Sequence, residues 1–351
     1  MASKLKVVLA SLLIVLMVLS GGYCIYYFAK PSENKKIVTT IFPLYDVVRN
    51  IMGNDNDILL LEDNGADIHN YSPTASDMTA IAKCELFVYV GGESDDWVAE
   101  VLKSTNNVNL YTVKMLDEIE AIEESNEGII SGDDHDAEHE HENNHEHTDE
   151  EIEYDEHIWL SPKNLIVMAG VIKDNLNLIF PERREIFRQN YDSYIQSLQE
   201  IDGEYQGVCS NSDKTLIVAD RFPFAYLAHD YNLKYYACFS GCSTETQASA
   251  DMLSKLIAKI NSENAKYICV LESSDKVIAK SATGDKECKK GVEILTLNSC
   301  QSVGLTQIDK TSLVDVLKSN LEVIKKVIGK WVWLSVKNWV SATTKKLFAR
   351  I

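Results

Sequence analysis

Short apolar, β-branched runs alternate along this chain with longer stretches whose apolar positions recur every three or four residues. The runs Ile37–Ile41, Ile58–Leu61, Leu86–Val90, Thr215–Val218, Lys234–Cys238, Tyr267–Leu271 and Val292–Leu297 predict strands. The stretches Pro43–Met52, Thr74–Ala82, Trp97–Leu102, Gln247–Ile260 and Ser312–Ile328 predict helices. Such alternation predicts an α/β fold with mostly parallel sheets. One segment stands apart. Pro181 suits the first position of a helix, and Glu182 favours its positive end. Phe187, Tyr191, Tyr194, Ile195, Leu198 and Ile201 then follow at spacings of three and four. The pattern predicts one long helix, a connecting strut between two strand–helix arrays. At 351 residues the chain is long enough for two lobes with their own cores. The expected division is a first lobe over 36–180, the strut over 181–206 and a second lobe over 207–329.

Both ends differ from this body. Residues 1–30 form a targeting or anchoring segment, with Lys4 and Lys6 ahead of the apolar run Val7–Ala29. At 23 residues the run is long enough to cross a bilayer as a helix. Val7–Leu19 also reads as the apolar part of a cleaved signal peptide, with Ser20-Gly21-Gly22 as the cut site. In a third reading Cys24 carries a lipid, although Tyr23 is a poor residue before such a cysteine. An uncleaved anchor or a lipid is expected over a released protein, and all three readings place the body outside the cytoplasm. At the other end, residues 330–351 are basic and hold Trp331, Trp333 and Trp339. That composition suits a helix on an anionic membrane surface or one packed on the body.

The net charge is −19, but it is local. Residues 117–156 hold 19 of the 53 acids and no Lys or Arg, so the remaining 34 acids balance the 34 bases. A neutral body argues against a nucleic-acid partner, and the tract attracts cations instead. Within it, Asp133–Glu151 adds five histidines, His135, His139, His141, His145 and His147, to ten acids. With few apolar residues the segment is expected to be a mobile loop that binds metal weakly at several sites. His141-Glu142-Asn143-Asn144-His145 matches the metalloprotease pattern HExxH. That chemistry needs both histidines on one face of a packed helix, and this tract lacks an apolar stripe to pack one.

Eight cysteines fit an extracellular location, where disulfides persist. Beyond Cys24 seven remain, so at least one is unpaired or pairs elsewhere; the pairing stays open.

Two histidines sit in structured surroundings. His69 lies in Gly65–Pro73, after a predicted strand and before a helix. His157 lies in Tyr154–Pro162, where the acidic loop rejoins the folded chain. Loops at strand ends are where α/β proteins bind ligands.

Together these segments resemble the metal-specific solute-binding proteins of ABC transporters, the group serving zinc and manganese importers. The resemblance covers about residues 36–329. It rests on Ile37-Val38-Thr39-Thr40-Ile41-Phe42-Pro43, the His-x-Tyr-x-Pro of His69 to Pro73, the Gly91-Gly92-Glu93 turn, and His157-Ile158-Trp159-Leu160-Ser161-Pro162 behind the His-rich loop. It implies two lobes joined by a single rigid helix, with a metal ion in the cleft held by His69 and His157 from the first lobe. The second lobe departs from the pattern. Where the family supplies a His or Glu three residues before Phe224, this chain has Arg221, which cannot ligate metal. Ala219–Phe224 resembles a variant subgroup in which the neighbouring Asp220 is the oxygen donor. The late carboxylate position falls near Asn298, and neither Asn298 nor Gln301 is a strong ligand; Glu245 is another candidate.

Two imidazoles with oxygen donors suit Zn²⁺ in a four-coordinate site, whereas Mn²⁺ prefers more oxygen. Histidine must be neutral to bind, so capture is expected to weaken as pH falls through ~6.5. The resemblance implies a monomeric, non-catalytic protein held at the outer face of the membrane. It passes zinc, with manganese as the alternative, to an ABC permease. A cell-surface adhesin or zinc store is the second reading. A zinc hydrolase would need an open coordination position and a general base, and no residue set is arranged for that.

Overall fold

The computed structural model describes residues 35–63, 65, 68–130, 153–210, 212–243 and 247–329. The N-terminal segment, the five loop histidines, Glu245 and the basic tail therefore lie outside the described residues. Among the described residues no helix is long and apolar enough to cross a membrane.

Two four-stranded parallel sheets form the frame. In the first lobe β1 (Ile37–Thr39), β2 (Ile58–Leu60), β3 (Leu86–Tyr89) and β4 (Tyr111–Lys114) are ordered β2-β1-β3-β4. Val38 pairs with both Leu59 and Phe87. In the second lobe β5 (Thr215–Phe222), β6 (Lys234–Ser240), β7 (Tyr267–Leu271) and β8 (Glu293–Leu297) repeat that order as β6-β5-β7-β8. Parallel strands covered on both faces are apolar throughout. That is why most of them stand out in the sequence.

Helices fill the crossovers. In the first lobe they are α1 (Phe42–Met52), α2 (Ala75–Lys83) and α3 (Trp97–Ser104), followed by α4 (Pro162–Ile179) and α5 (Arg184–Cys209). The second lobe adds α6 (Ala225–Tyr231), α7 (Ala250–Ser262), α8 (Val277–Gly284), the single turn α9 (Leu305–Ile308) and α10 (Leu313–Ile328). Local chemistry sets the ends. Thr74 and Asp77 form a reciprocal cap at the start of α2, and Gly53 and Gly329 close α1 and α10 in the left-handed conformation. The strut begins three residues later than the periodicity predicts, because Pro181–Arg183 form a 3-10 turn ahead of α5. Its buried stripe is Phe187, Tyr194, Leu198, Ile201, Tyr205 and Val208.

Each sheet has its own outer apolar layer. Ile81, Phe87, Val98 and Val101 pack in the first lobe, and Ile217, Phe239, Leu256 and Ile268 in the second. Between the lobes runs one continuous core. It joins Leu44 and Ile51 of α1, Leu165 and Ile172 of α4, Phe187 and Leu198 of α5, and Leu317 and Ile324 of α10.

Polar ties cross the same interface. Arg49 donates to the Ile308 carbonyl at 2.7 Å, and Asp46 accepts from the Leu313 amide at 3.0 Å. The stem of the acidic loop extends the edge of β6, where Ile130 N–H donates to Ala237 O at 2.8 Å. Two lobes welded in this way leave little room for hinge bending.

The seven described cysteines are all free, and six are buried. The disulfides anticipated from an extracellular setting are not formed among them. Cys238 and Cys269 sit on β6 and β7, separated by β5 and packed into different apolar layers. Two strand spacings, roughly 10 Å, exceed the reach of a disulfide. These thiols serve as small apolar core residues, and burial pushes Cys84, Cys238 and Cys269 up to about 12.

Candidate metal centre

The carboxyl ends of both sheets face the cleft, and three loop side chains meet there. His69 lies on a 3-10 turn, Ile68–Asn70, in the connection that follows β2. His157 leads a second such turn, Ile158–Leu160, where the acidic loop returns. Gln301 follows β8 in the second lobe. The imidazole centroids are 5.5 Å apart. Gln301 Nε2 is 2.6 Å from His157 Nε2 and 3.4 Å from His69 Nε2. Both Nε2 atoms thus face one point, and that point is held from the opposite lobe.

The other ring nitrogens explain this orientation. Asp155 Oδ1 accepts from the backbone N–H of His157 at 2.8 Å and lies 3.1 Å from its Nδ1. A carboxylate only accepts, so Nδ1 carries the proton and Nε2 keeps its lone pair toward the cleft. His69 Nδ1 lies 2.9 Å from Ser94 Oγ. Gln301, as an amide, donates to both lone pairs. A half-turn of that amide would present its oxygen to the same point.

Small residues let these groups close in. A Cβ on Gly241, at the end of β6, would stand 3.1 Å from Asp155 Oδ2 and 3.2 Å from His157 Nδ1. A Cβ on Gly92 would stand 2.2 Å from Glu156 Oε1. The Gly91-Gly92-Glu93 turn singled out in the sequence is therefore the seat of the Glu156 side chain. His157 is fully buried, as is Trp159, whose indole N–H donates to Ser299 O at 2.8 Å across the lobes. That bond places the loop from which Gln301 projects.

The surroundings are acidic. Asp95 accepts from the amides of Val90 and Gly91 at 2.8 and 3.0 Å, yet burial pushes its carboxyl up to about 7. Burial also raises Glu156, and it raises the Cys242 thiol, which faces Asp155 and Glu124. A neutral thiol is a poor ligand.

Of the residues expected at the site, the structure brings His69 and His157 together. It does not gather Asp220 with them. Asp220 lies inside β5, where a register shift falls between Val218 and Arg221. Its Oδ1 accepts from the Arg221 amide at 2.9 Å, and its Oδ2 from the Leu271 amide at 3.3 Å. The carboxylate is thus engaged within its own sheet. Among the described residues no three His, Cys, Asp or Glu side chains converge as they would around an ion. Glu245 and His135, His139, His141, His145 and His147 lie outside the described residues. Among the described residues Gln301, a weak ligand by its chemistry, is a second-lobe side chain that reaches both imidazoles. Its only signal was proximity to the late carboxylate position. Asn298 is engaged locally instead: its side-chain Oδ1 accepts from the Cys300 amide at 2.8 Å, and its backbone carbonyl accepts from the Asn320 side chain at 2.8 Å.

Two parallel α/β lobes, joined by one long helix and closing on inward-facing imidazoles, define a two-lobed solute-binding protein. The chain belongs to the family described as ZnuA, zinc-uptake complex component A, periplasmic, which matches residues 37–327. The zinc-binding protein AdcA of Streptococcus pyogenes serotype M3 is 30% identical over 304 residues, covering 84% of this chain and 56% of the relative. This chain therefore spans little more than half of that protein. The high-affinity zinc uptake system protein ZnuA of Bacillus subtilis is 30% identical over 302 residues, 84% of this chain and 88% of the relative. Among solved structures, the Zn(II)-bound ZnuA-like domain of Streptococcus pneumoniae AdcA superposes with a TM-score of 0.66 at 25% identity. It covers 84% of this chain and 98% of that domain.

Proposed function

We propose that this chain captures zinc in the inter-lobe cleft and delivers it to an ABC permease, as a binding protein without catalysis of its own. The observation that carries the reading is the convergence of His69 Nε2 and His157 Nε2 on one point capped by Gln301. His69 and His157 are the first-lobe ligands, and the Gln301 side-chain oxygen supplies the second-lobe donor after the amide turns. Water completes a four-coordinate shell suited to Zn²⁺. Manganese, preferring more oxygen, suits it less. The names of the relatives, zinc-binding protein and zinc uptake system protein, support the choice of ion. A Streptococcus pneumoniae relative described as a lipoprotein supports attachment of residues 1–30 at the outer membrane face. The histidines of 133–151 are accessory weak sites.

The test is a zinc titration of the full chain and of a variant lacking residues 133–151. One tight equivalent should survive the deletion. Tight binding that disappears with the loop would make the protein a store rather than a carrier.

Gln301→Glu should tighten zinc by about tenfold or more, because a charged oxygen donor is stronger than a neutral one by ~1.4 kcal/mol or more. Competition against a chelating dye reads the change. Unaltered affinity would remove Gln301 from the ligand set.

A further inference from the structure

The two imidazoles are held by different means. His157 is backed directly by Asp155. His69 sits on a single 3-10 turn, which does not itself fix a ring. Behind it lies Ser94, in the Glu93–Asp95 turn that follows β3. Behind Ser94 lies Glu156, whose Oε1 accepts from the Ser94 amide at 2.7 Å. Glu156 Oε2 is 3.7 Å from His69 Nδ1. Proton order follows from the end of this chain. A carboxylate only accepts, so the Glu156 oxygen 3.7 Å from Nδ1 draws the ring proton to that side, where the Ser94 hydroxyl offers a lone pair at 2.9 Å. Nδ1–H then donates to Ser94, and Nε2 is left open to the cleft. Without Glu156 the Ser94 hydroxyl would be free to donate to Nδ1, which would place the proton on Nε2 and block it.

The far side of Glu156 is unfinished. Its side chain is 2% exposed, and among the described residues Oε2 accepts no hydrogen bond. Thr40, just past β1, is also 2% exposed, and among the described residues its Oγ1 has no hydrogen-bond partner. Both residues line one small cavity of about 10 Å³, together with Glu62 and Asp95. That is about the room one water needs, and buried water typically makes about three hydrogen bonds to such groups.

We propose that Glu156, acting through Ser94, is the positioning residue that orients His69, and that one resident water between Thr40 and Glu156 holds it in place. The inference rests on the metal-capture reading and deepens it: each imidazole has its own carboxylate, one in direct contact and one behind the serine that touches the ring.

The test uses Ser94→Ala, Glu156→Gln, Ser94→Thr and Thr40→Val in the full chain. Nitrogen-15 NMR of the metal-free protein should show His69 as the Nδ1–H tautomer in the wild type and as a mixture in Ser94→Ala and Glu156→Gln. Both variants should bind zinc about tenfold more weakly, the range for partners of metal-bound histidines. Ser94→Thr, which keeps the hydroxyl, should restore tautomer and affinity; a merely structural role would not move the tautomer. A high-resolution crystal structure should show the water in the wild type and lose it in Thr40→Val. An unchanged His69 tautomer, or wild-type affinity in both Ser94→Ala and Glu156→Gln, overturns the positioning role. An empty cavity in the wild type overturns the water. A wild type that binds no tight zinc defeats the capture reading instead, while the tautomer, measured without metal, still decides the role of Glu156.

Discussion

Replacing His157 with alanine should abolish tight zinc binding while leaving the protein folded. Structural zinc sites are worth about 10–16 kcal/mol, so each of four ligands carries about 3 kcal/mol, or roughly two orders of magnitude in affinity. His157 should exceed that share, because its loss also strands Asp155, which is 2% exposed and accepts from the His157 ring and amide. His69→Ala should lose a similar amount. Chelator competition reads the affinity, and thermal melting checks that the fold survives. The capture reading fails if either variant, well folded, still holds one equivalent as tightly as the wild type.

Trp159→Ala should be among the most destabilising substitutions in the chain. The side chain is fully buried beside His157 at a ring separation of 5.4 Å. Truncating a buried aromatic costs about 3–5 kcal/mol. The variant also leaves the Ser299 carbonyl without its donor, worth about another 1 kcal/mol. Trp159→Phe, which keeps most of the volume and loses only the N–H, should cost far less in urea unfolding. Its zinc affinity should still fall, because Ser299 stands two residues before Gln301. Equal stability losses for the two variants would show that the bond across the lobes, and not packing, is what Trp159 supplies.

The strand runs were legible because a parallel strand buried on both faces needs no polar alternation. Tyr267–Leu271 matches from end to end, and β1, β2 and β3 differ only at their carboxyl ends. Strand β4 escaped notice because it edges its sheet: Tyr111 and Thr112 are exposed, so the apolar run is broken. Helix α4 was missed for the opposite reason. Its buried Leu165, Met168, Ile172 and Leu176 share the helix with Ile166, Val171 and an exposed Val167, which blurs the period. The cysteines misled because location bears on whether a disulfide persists, while geometry decides whether one forms.

Local pattern alone was enough to identify the α/β class and the long connecting helix, since periodicity and caps are properties of neighbours in the chain, whereas His69 and His157 stood out through the family resemblance of the segments around them. Which second-lobe side chain meets them was a matter of tertiary structure. Asp220 and Gln301 both lie where a donor was wanted, yet the register of β5 turns one toward the amides of its own sheet, and the Trp159–Ser299 bond aims the other into the cleft. Side-chain direction across an interface depends on how two separately folded sheets dock, and no spacing along the chain records that.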